Sequence, residues 1–271
     1  MQHLIRDKGA ILGTAALLAG LLGCGAADDE TLGAGAGTPL VKGGAFDAGQ
    51  GQPELPGALG GAYAPGPYGF SKGTVLPDFQ FIGYYNYVTA QPGYYVFVHL
   101  SDFYNPTGAE IYAPGSPYCQ PDEGGNCRPK PKALLINMSA LWCPVCQQEA
   151  QYVTPGKYKH YEPLAGEFLL VLIDGNTPGK AAVPKDLDKW DKKYKVDFPS
   201  TIDPAGKVGV MFPPSLPGNM LVDPRTMTIL EVIEGLPLDP DDPACKSSPM
   251  DKHCTFWEKF DKVIEGTYGG G

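Results

Sequence analysis

The stretch that most constrains this chain is Trp142-Cys143-Pro144-Val145-Cys146, because of what lies on each side of it. Before it, Pro131 leads into the apolar run Ala133-Leu134-Leu135-Ile136-Asn137-Met138, which reads as a buried strand, although periodicity alone does not separate such a run from a helix. After it, residues 147–153 lack Gly and Pro and place Cys146, Ala150 and Val153 on one helical face. A CxxC pair at such a junction sets the first sulfur over the unpaired amides of the helix, where the positive end of the dipole favours thiolate. The second sulfur lies one turn inside, placed to attack a mixed disulfide. Pro144 at the first helical position loses only an amide that has no partner there.

A CxxC pair is also half of a zinc site, or a structural disulfide. Structural zinc needs two further ligands, and the chain has no second CxxC and no HxxxH. The strand-to-helix setting favours redox chemistry over both.

The segment Ser139-Ala140-Leu141-Trp142-Cys143-Pro144-Val145-Cys146-Gln147-Gln148-Glu149 resembles the active site of the thioredoxin superfamily, and within it the TlpA-type membrane-anchored thiol–disulfide oxidoreductases and their redoxin relatives. Pro77-Asp78-Phe79 is similar to that family's "PDF" lead-in and Leu100-Ser101-Asp102-Phe103 to its "LSDF" segment. Phe168 to Asp174 corresponds to its second buried strand, and Phe198-Pro199 to Asp203 to the stretch after its crossover helix. Pro217-Gly218-Asn219-Met220-Leu221-Val222-Asp223 has the spacing of its "P-T-T-F-L-I-D" segment, which implies that Pro217 is the cis-proline facing the CxxC. The resemblance covers roughly residues 75–266, with only the CxxC and this proline specific. It implies a thioredoxin-like α/β fold, a central mixed sheet flanked by helices, here with an N-terminal β-hairpin extension. It further implies that Cys143 is the nucleophile and Cys146 the resolving thiol, working without a separate cofactor. Glu149 matches a glutamate that assists proton movement at the pair, its alternative being a solvent-facing helix carboxylate. Trp142, Pro144, Leu216 and Pro217 would contact substrate, the last two offering backbone groups to an incoming strand. Thioredoxin's buried carboxylate, six residues before the first cysteine, is replaced by Asn137.

The chain ends place this chemistry. Arg6 and Lys8 precede the apolar run Ala10 to Leu22, and Leu21-Leu22-Gly23-Cys24 is similar to a bacterial lipobox. The run is short for a bilayer span. Residues 1–23 are therefore expected to be a lipoprotein signal peptide, with Cys24 lipidated and the protein held in the cell envelope. Gly25 after the cysteine leans towards the outer membrane. Residues 24–74 are rich in Gly, Ala and Pro and nearly free of apolar periodicity, so they read as a disordered tether. The domain is expected over 75–271. The net charge of −9, with no basic stripe, excludes a nucleic-acid partner.

Within the domain, residues 79–83 and 94–100 flank a Pro-Gly turn and read as a β-hairpin. Residues 104–131 form a polar insertion carrying Cys119 and Cys127. Pro155-Gly156 is expected to break or kink the chain, with a short helix over 157–161. Pro184 opens a helix with Leu187, Trp190 and Tyr194 on one face. Thr255 to Glu258 reads as a capping box before a last helix. Cys245 and Cys254 flank the loop preceding it, with His253 alongside. In an exported protein two local disulfides, Cys119–Cys127 and Cys245–Cys254, are the simplest use of these four cysteines, with a metal site including His253 as the alternative.

The expected function is dithiol–disulfide exchange with exported protein thiols and disulfides, fed by an upstream membrane electron carrier. A peroxidase of the peroxiredoxin class shares the PDF lead-in but needs a Pro-x-x-x-Thr-x-x-Cys site, and Ile136 and Ala140 hold those positions. A copper carrier of the Sco type wants CxxxC with a distal His. A binding lipoprotein on the same scaffold has no need of the CxxC.

Overall fold

The computed structural model describes residues 41–42, 63–203, 206 and 215–269. The signal segment 1–23, Cys24 and most of the expected tether lie outside the described residues. Eight strands among the described residues form one sheet: β1 (Val41–Lys42), β2 (Gln80–Tyr84), β3 (Tyr94–His99), β4 (Ala133–Ala140), β5 (Gly166–Asp174), β6 (Ser200–Ile202), β7 (Gly218–Asp223) and β8 (Thr228–Glu234). Their order is β1-β3-β2-β6-β5-β4-β7-β8. β4, β5 and β6 run parallel, while the β2–β3 hairpin and the β7–β8 pair close the two sides antiparallel. This is the thioredoxin-like arrangement, with the expected hairpin added beside β6.

The two central strands read as mainly apolar runs because both faces of the sheet are covered. Leu135, Phe168, Leu170 and Leu172 face one core with Tyr158, Trp190, Trp257 and Phe260. Leu134, Ile136, Met138, Leu169 and Val171 face a second core with Tyr63, Phe103, Tyr112 and Tyr118. The first core lies under α2 (Thr154–Tyr161), α3 (Pro184–Tyr194) and α5 (Phe256–Glu265), following α1 (Pro144–Gln148) in the chain. A short α4 (Pro243–Ser247) precedes α5. Leu187, Trp190 and Tyr194 of α3 are buried together, as their spacing predicts.

Three expectations are corrected. The domain starts well before residue 75. Tyr63 and Ala64 are buried, the Tyr63 hydroxyl donates to the Leu76 carbonyl at 2.8 Å, and Phe70 stacks on Phe79 with ring centroids 6.0 Å apart. Gly73 N–H also donates to Ile229 O at 2.8 Å on β8. The few aromatic residues of this stretch are enough to dock it, although its average composition is that of a linker.

The chain also does not break at Pro155. A single π turn, Glu149–Val153, links α1 to α2, and Pro155 occupies the first turn of α2, where its missing N–H costs little. Thr255 makes no side-chain cap: its hydroxyl donates to Asp251 O at 3.1 Å, and Glu258 pairs with Lys262 at 2.6 Å. Glu149 is buried, so of its two readings the solvent-facing carboxylate is the one that does not hold.

Both local disulfides are present, Cys119–Cys127 and Cys245–Cys254. The 104–131 insertion packs on the sheet: Tyr112 stacks on Tyr118, and Arg128 pairs with Glu167 of β5 at 2.5 Å.

Candidate functional site

Strand β4 ends at Ala140, and the Cys143 N–H donates back to the Ala140 carbonyl at 3.1 Å, turning the chain into α1. Cys143 is the residue before the first helical turn, extended at φ −83° and ψ 110°, and Pro144 is the first residue inside. The Cys146 N–H donates to Cys143 Sγ at 3.1 Å. This is the place a Ser or Asp side chain fills at other helix starts, so a thiolate there is met by a free amide and by the helix dipole. Cys143 and Cys146 form a disulfide. Both are buried, Cys146 completely, while Pro144 and Val145 stand at the surface.

Trp142 borders the pair. It is 37% exposed, and its indole N–H donates to Asp174 Oδ2 at 3.0 Å. Asp174 ends β5 and also accepts from Gly179 N–H at 2.8 Å, which fixes the acceptor. Across the sheet, β7 runs antiparallel to β4 with Gly218 opposite Met138, so Leu216 and Pro217 arrive at the end from which β4 delivers Cys143. The Leu216–Pro217 peptide is cis, and Leu216 packs against the core cluster that contains both cysteines.

Glu149 lies three residues beyond Cys146, on the same helical face, and its own N–H donates to Cys146 O. It is 2% exposed. Two amides clasp the carboxylate: Asn137 Nδ2 donates to Oε2 and Asn219 Nδ2 to Oε1, each at 2.8 Å. The orientation of both amides is fixed from behind. Ser139 Oγ donates to Asn137 Oδ1 at 2.8 Å, Asn137 Nδ2 also reaches Asn219 Oδ1 at 3.0 Å, and Asn219 Nδ2 reaches Gly235 O at 3.1 Å. Burial raises the pKa of this carboxyl and the two amide donors oppose it; burial wins, and Glu149 is pushed up to about 7. A group balanced there takes up and releases a proton at neutral pH.

The residues singled out in the sequence thus converge: Trp142, Cys143, Pro144, Cys146, Glu149, Leu216 and Pro217 occupy one end of the sheet. Cys119, Cys127, Cys245 and Cys254 sit away from it in their own disulfides, and Cys24 lies outside the described residues. Sequence reasoning missed Asn219 and took Asn137 only as a lost acid. Both were visible as polar side chains inside apolar runs, and an amide buried in a central strand requires partners.

Fold and site together define a thioredoxin-like protein with a CxxC disulfide at a helix start and a buried carboxyl behind it. No family model matches the chain, and no curated protein does. Similar solved structures include a protein from Chlorobium tepidum assigned as the thiol:disulfide interchange protein DsbE, at 19% identity, 74% of this chain, 99% of that one and TM-score 0.42. A hypothetical protein from Sinorhizobium meliloti 1021 is 14% identical over 75% of this chain and 89% of its own, with TM-score 0.46. The exposed lipoprotein thioredoxin Etrx1 of Streptococcus pneumoniae is 17% identical over 64% and 99%, with TM-score 0.38. These likenesses are distant.

Proposed function

We propose that the chain is a thiol–disulfide oxidoreductase of the bacterial cell envelope, acting on exported protein substrates and held to a membrane through lipid on Cys24. The observation that carries the activity is Cys143 Sγ in the helix-start position, accepting the Cys146 N–H at 3.1 Å.

In the reducing direction the Cys143 thiolate attacks one sulfur of a substrate disulfide. That S–S bond breaks, the distal substrate sulfur leaves as thiolate and takes a proton, and Cys143 is left in a mixed disulfide. Cys146 then gives its proton to Glu149 and attacks Cys143 Sγ, forming the Cys143–Cys146 bond and releasing the second substrate thiol. Two electrons pass to the substrate, and a membrane carrier has to restore them. In reverse the same steps oxidise a dithiol. Glu149, buried and about 7, is suited to accept the proton of a buried thiol and later return it.

The envelope setting rests on the lipobox at Cys24 and on two disulfides besides the CxxC pair, which suit an oxidising compartment. Among the described residues no helix is long and apolar enough to cross a membrane, so the lipid would be the attachment.

The test is insulin reduction driven by dithiothreitol. Wild type should accelerate it, Cys143→Ser should not, and Cys146→Ser should accumulate a mixed disulfide visible on a non-reducing gel. Alkylation of the reduced protein should show Cys143 titrating below the ~8.5 of a free cysteine. If Cys146 is the faster thiol, the two roles are reversed.

A further inference from the structure

The loop stapled by Cys245–Cys254 reaches the active site through a single peptide group. His253, beside Cys254, has an acceptor at each ring nitrogen: Asp251 Oδ1 lies 2.6 Å from Nδ1, and the Glu234 carbonyl oxygen 2.6 Å from Nε2. A neutral imidazole donates from only one nitrogen, so the doubly protonated ring is the form that satisfies both acceptors. The peptide that accepts from Nε2 joins Glu234 to Gly235, and its N–H donates to the Pro217 carbonyl at 2.7 Å. The Gly235 carbonyl accepts from Asn219 Nδ2, one of the two amides that clasp Glu149. Gly235 stands at φ +91°, a left-handed turn out of β8 that lets its two peptides face these partners.

We infer that His253 is a positioning residue: its doubly protonated ring, bonded to the Glu234–Gly235 peptide, holds the Leu216–Pro217 loop and the Asn219 amide in place beside the Cys143–Cys146 pair. Charge on the ring polarises that peptide, and a polarised peptide donates more strongly to Pro217 O. Loss of a ring proton leaves one acceptor facing a lone pair and loosens the chain of bonds. The inference rests on the redox reading for its functional consequence, not for its geometry.

The charged groups around the ring fit. Asp251 supplies the counter-charge, and hydrogen bonds from the His253 amide and ring hold its carboxyl below the usual carboxylate range. Lys252 turns away to the Val232 carbonyl at 3.5 Å, and the exposed Glu234 side chain adds negative charge from β8. On the remaining side Leu238 N–H donates to His253 O at 3.0 Å, and Asp239 next to it is engaged by Lys157. The disulfide Cys245–Cys254 fixes the loop that presents the ring.

The experiment uses the ¹⁵N-labelled full chain between pH 5.5 and 8.5. The Gly235 amide proton should move upfield as pH rises, with the midpoint at which the His253 ring protons titrate. In His253→Gln, which retains a donor but cannot titrate, that movement should vanish. Exchange with a peptide disulfide should slow in His253→Gln below the midpoint, by on the order of ten-fold and through KM more than kcat, and match wild type above it. A Gly235 amide that stays fixed while His253 titrates overturns the inference, as does an unchanged exchange profile in His253→Gln. Wild type that fails to reduce insulin, with the Gly235 titration intact, would instead remove the redox reading.

Discussion

Replacing Glu149 by glutamine keeps the shape of the side chain and removes one ionisation, so its effect on stability is best read as a function of pH. In the unfolded chain the carboxyl ionises near 4.5, and in the fold near 7. The folded value is the higher, so the ionised form is disfavoured in the fold. No penalty exists below pH 4.5; it grows as pH rises through the interval and is complete above 7. At about 1.4 kcal/mol per pH unit, wild type should lose roughly 2–3 kcal/mol between pH 5 and 8 from this residue alone. Glu149→Gln lacks that slope. It carries a different and pH-independent cost, because one of the two clasping amides now faces an NH₂ group, worth about 1–3 kcal/mol for an unsatisfied buried donor. The variant should therefore be less stable than wild type at pH 5 and equal or more stable at pH 8. Urea unfolding of the oxidised protein at four pH values measures this directly. If the midpoints of wild type and variant move in parallel with pH, Glu149 does not carry the raised ionisation, and its proposed role as proton acceptor for Cys146 fails with it.

Other expectations follow from single contacts. Arg128→Ala leaves Glu167 buried and unpaired beneath the insertion and should cost about 3–5 kcal/mol in urea unfolding, against almost nothing for the exposed Lys262→Ala. Changing Cys119 and Cys127 together to alanine should cost about 2–3 kcal/mol by release of the unfolded chain, measured as a lower thermal midpoint. Cys24→Ser should move the protein from the detergent fraction of the envelope to the soluble one; continued need for detergent would show a different anchor.

Much of the fold was legible because its signals are local. A CxxC between an apolar run and a Gly-free, Pro-free stretch, a Pro-opened helix with Leu187, Trp190 and Tyr194, and aromatic segments around Pro92-Gly93 each declare an element within ten residues. The buried acid was not legible because its partners are distant in sequence. Glu149 looks like any helix carboxylate until Asn137 and Asn219, 12 and 70 residues away, close on it. The docking of Tyr63 and Phe70 was hidden differently: Leu76 and Phe79 hold them from nearby, but the Gly and Pro between dominate any average. The capping box at Thr255 and Glu258 matched its pattern and did not form, because Asp251 O and Lys262 offered each side chain a nearer partner.

The position of the buried acid has a physical consequence for how the site is tuned. A carboxyl carried on the strand before the first cysteine would be fixed by the sheet. Here the strand supplies an amide, Asn137, and the acid comes from the helix one turn after Cys146, at the head of a π turn. The Thr154 N–H bonds Glu149 O across that turn, and the Thr154 hydroxyl adds a second bond at 3.1 Å. The balance that sets Glu149 near 7 therefore involves three independent elements: α1 with its π turn, Asn137 of β4 and Asn219 of β7. Asn219 is the member with a further tie, to Gly235 at the end of β8. Displacing Asn219 would remove one donor that lowers the pKa while leaving burial in place, so Glu149 would rise and retain its proton at neutral pH. A carboxyl that is already protonated cannot take the proton of Cys146. On the proposed mechanism the resolving step is thus sensitive to the β7–β8 end of the sheet, which also carries Pro217.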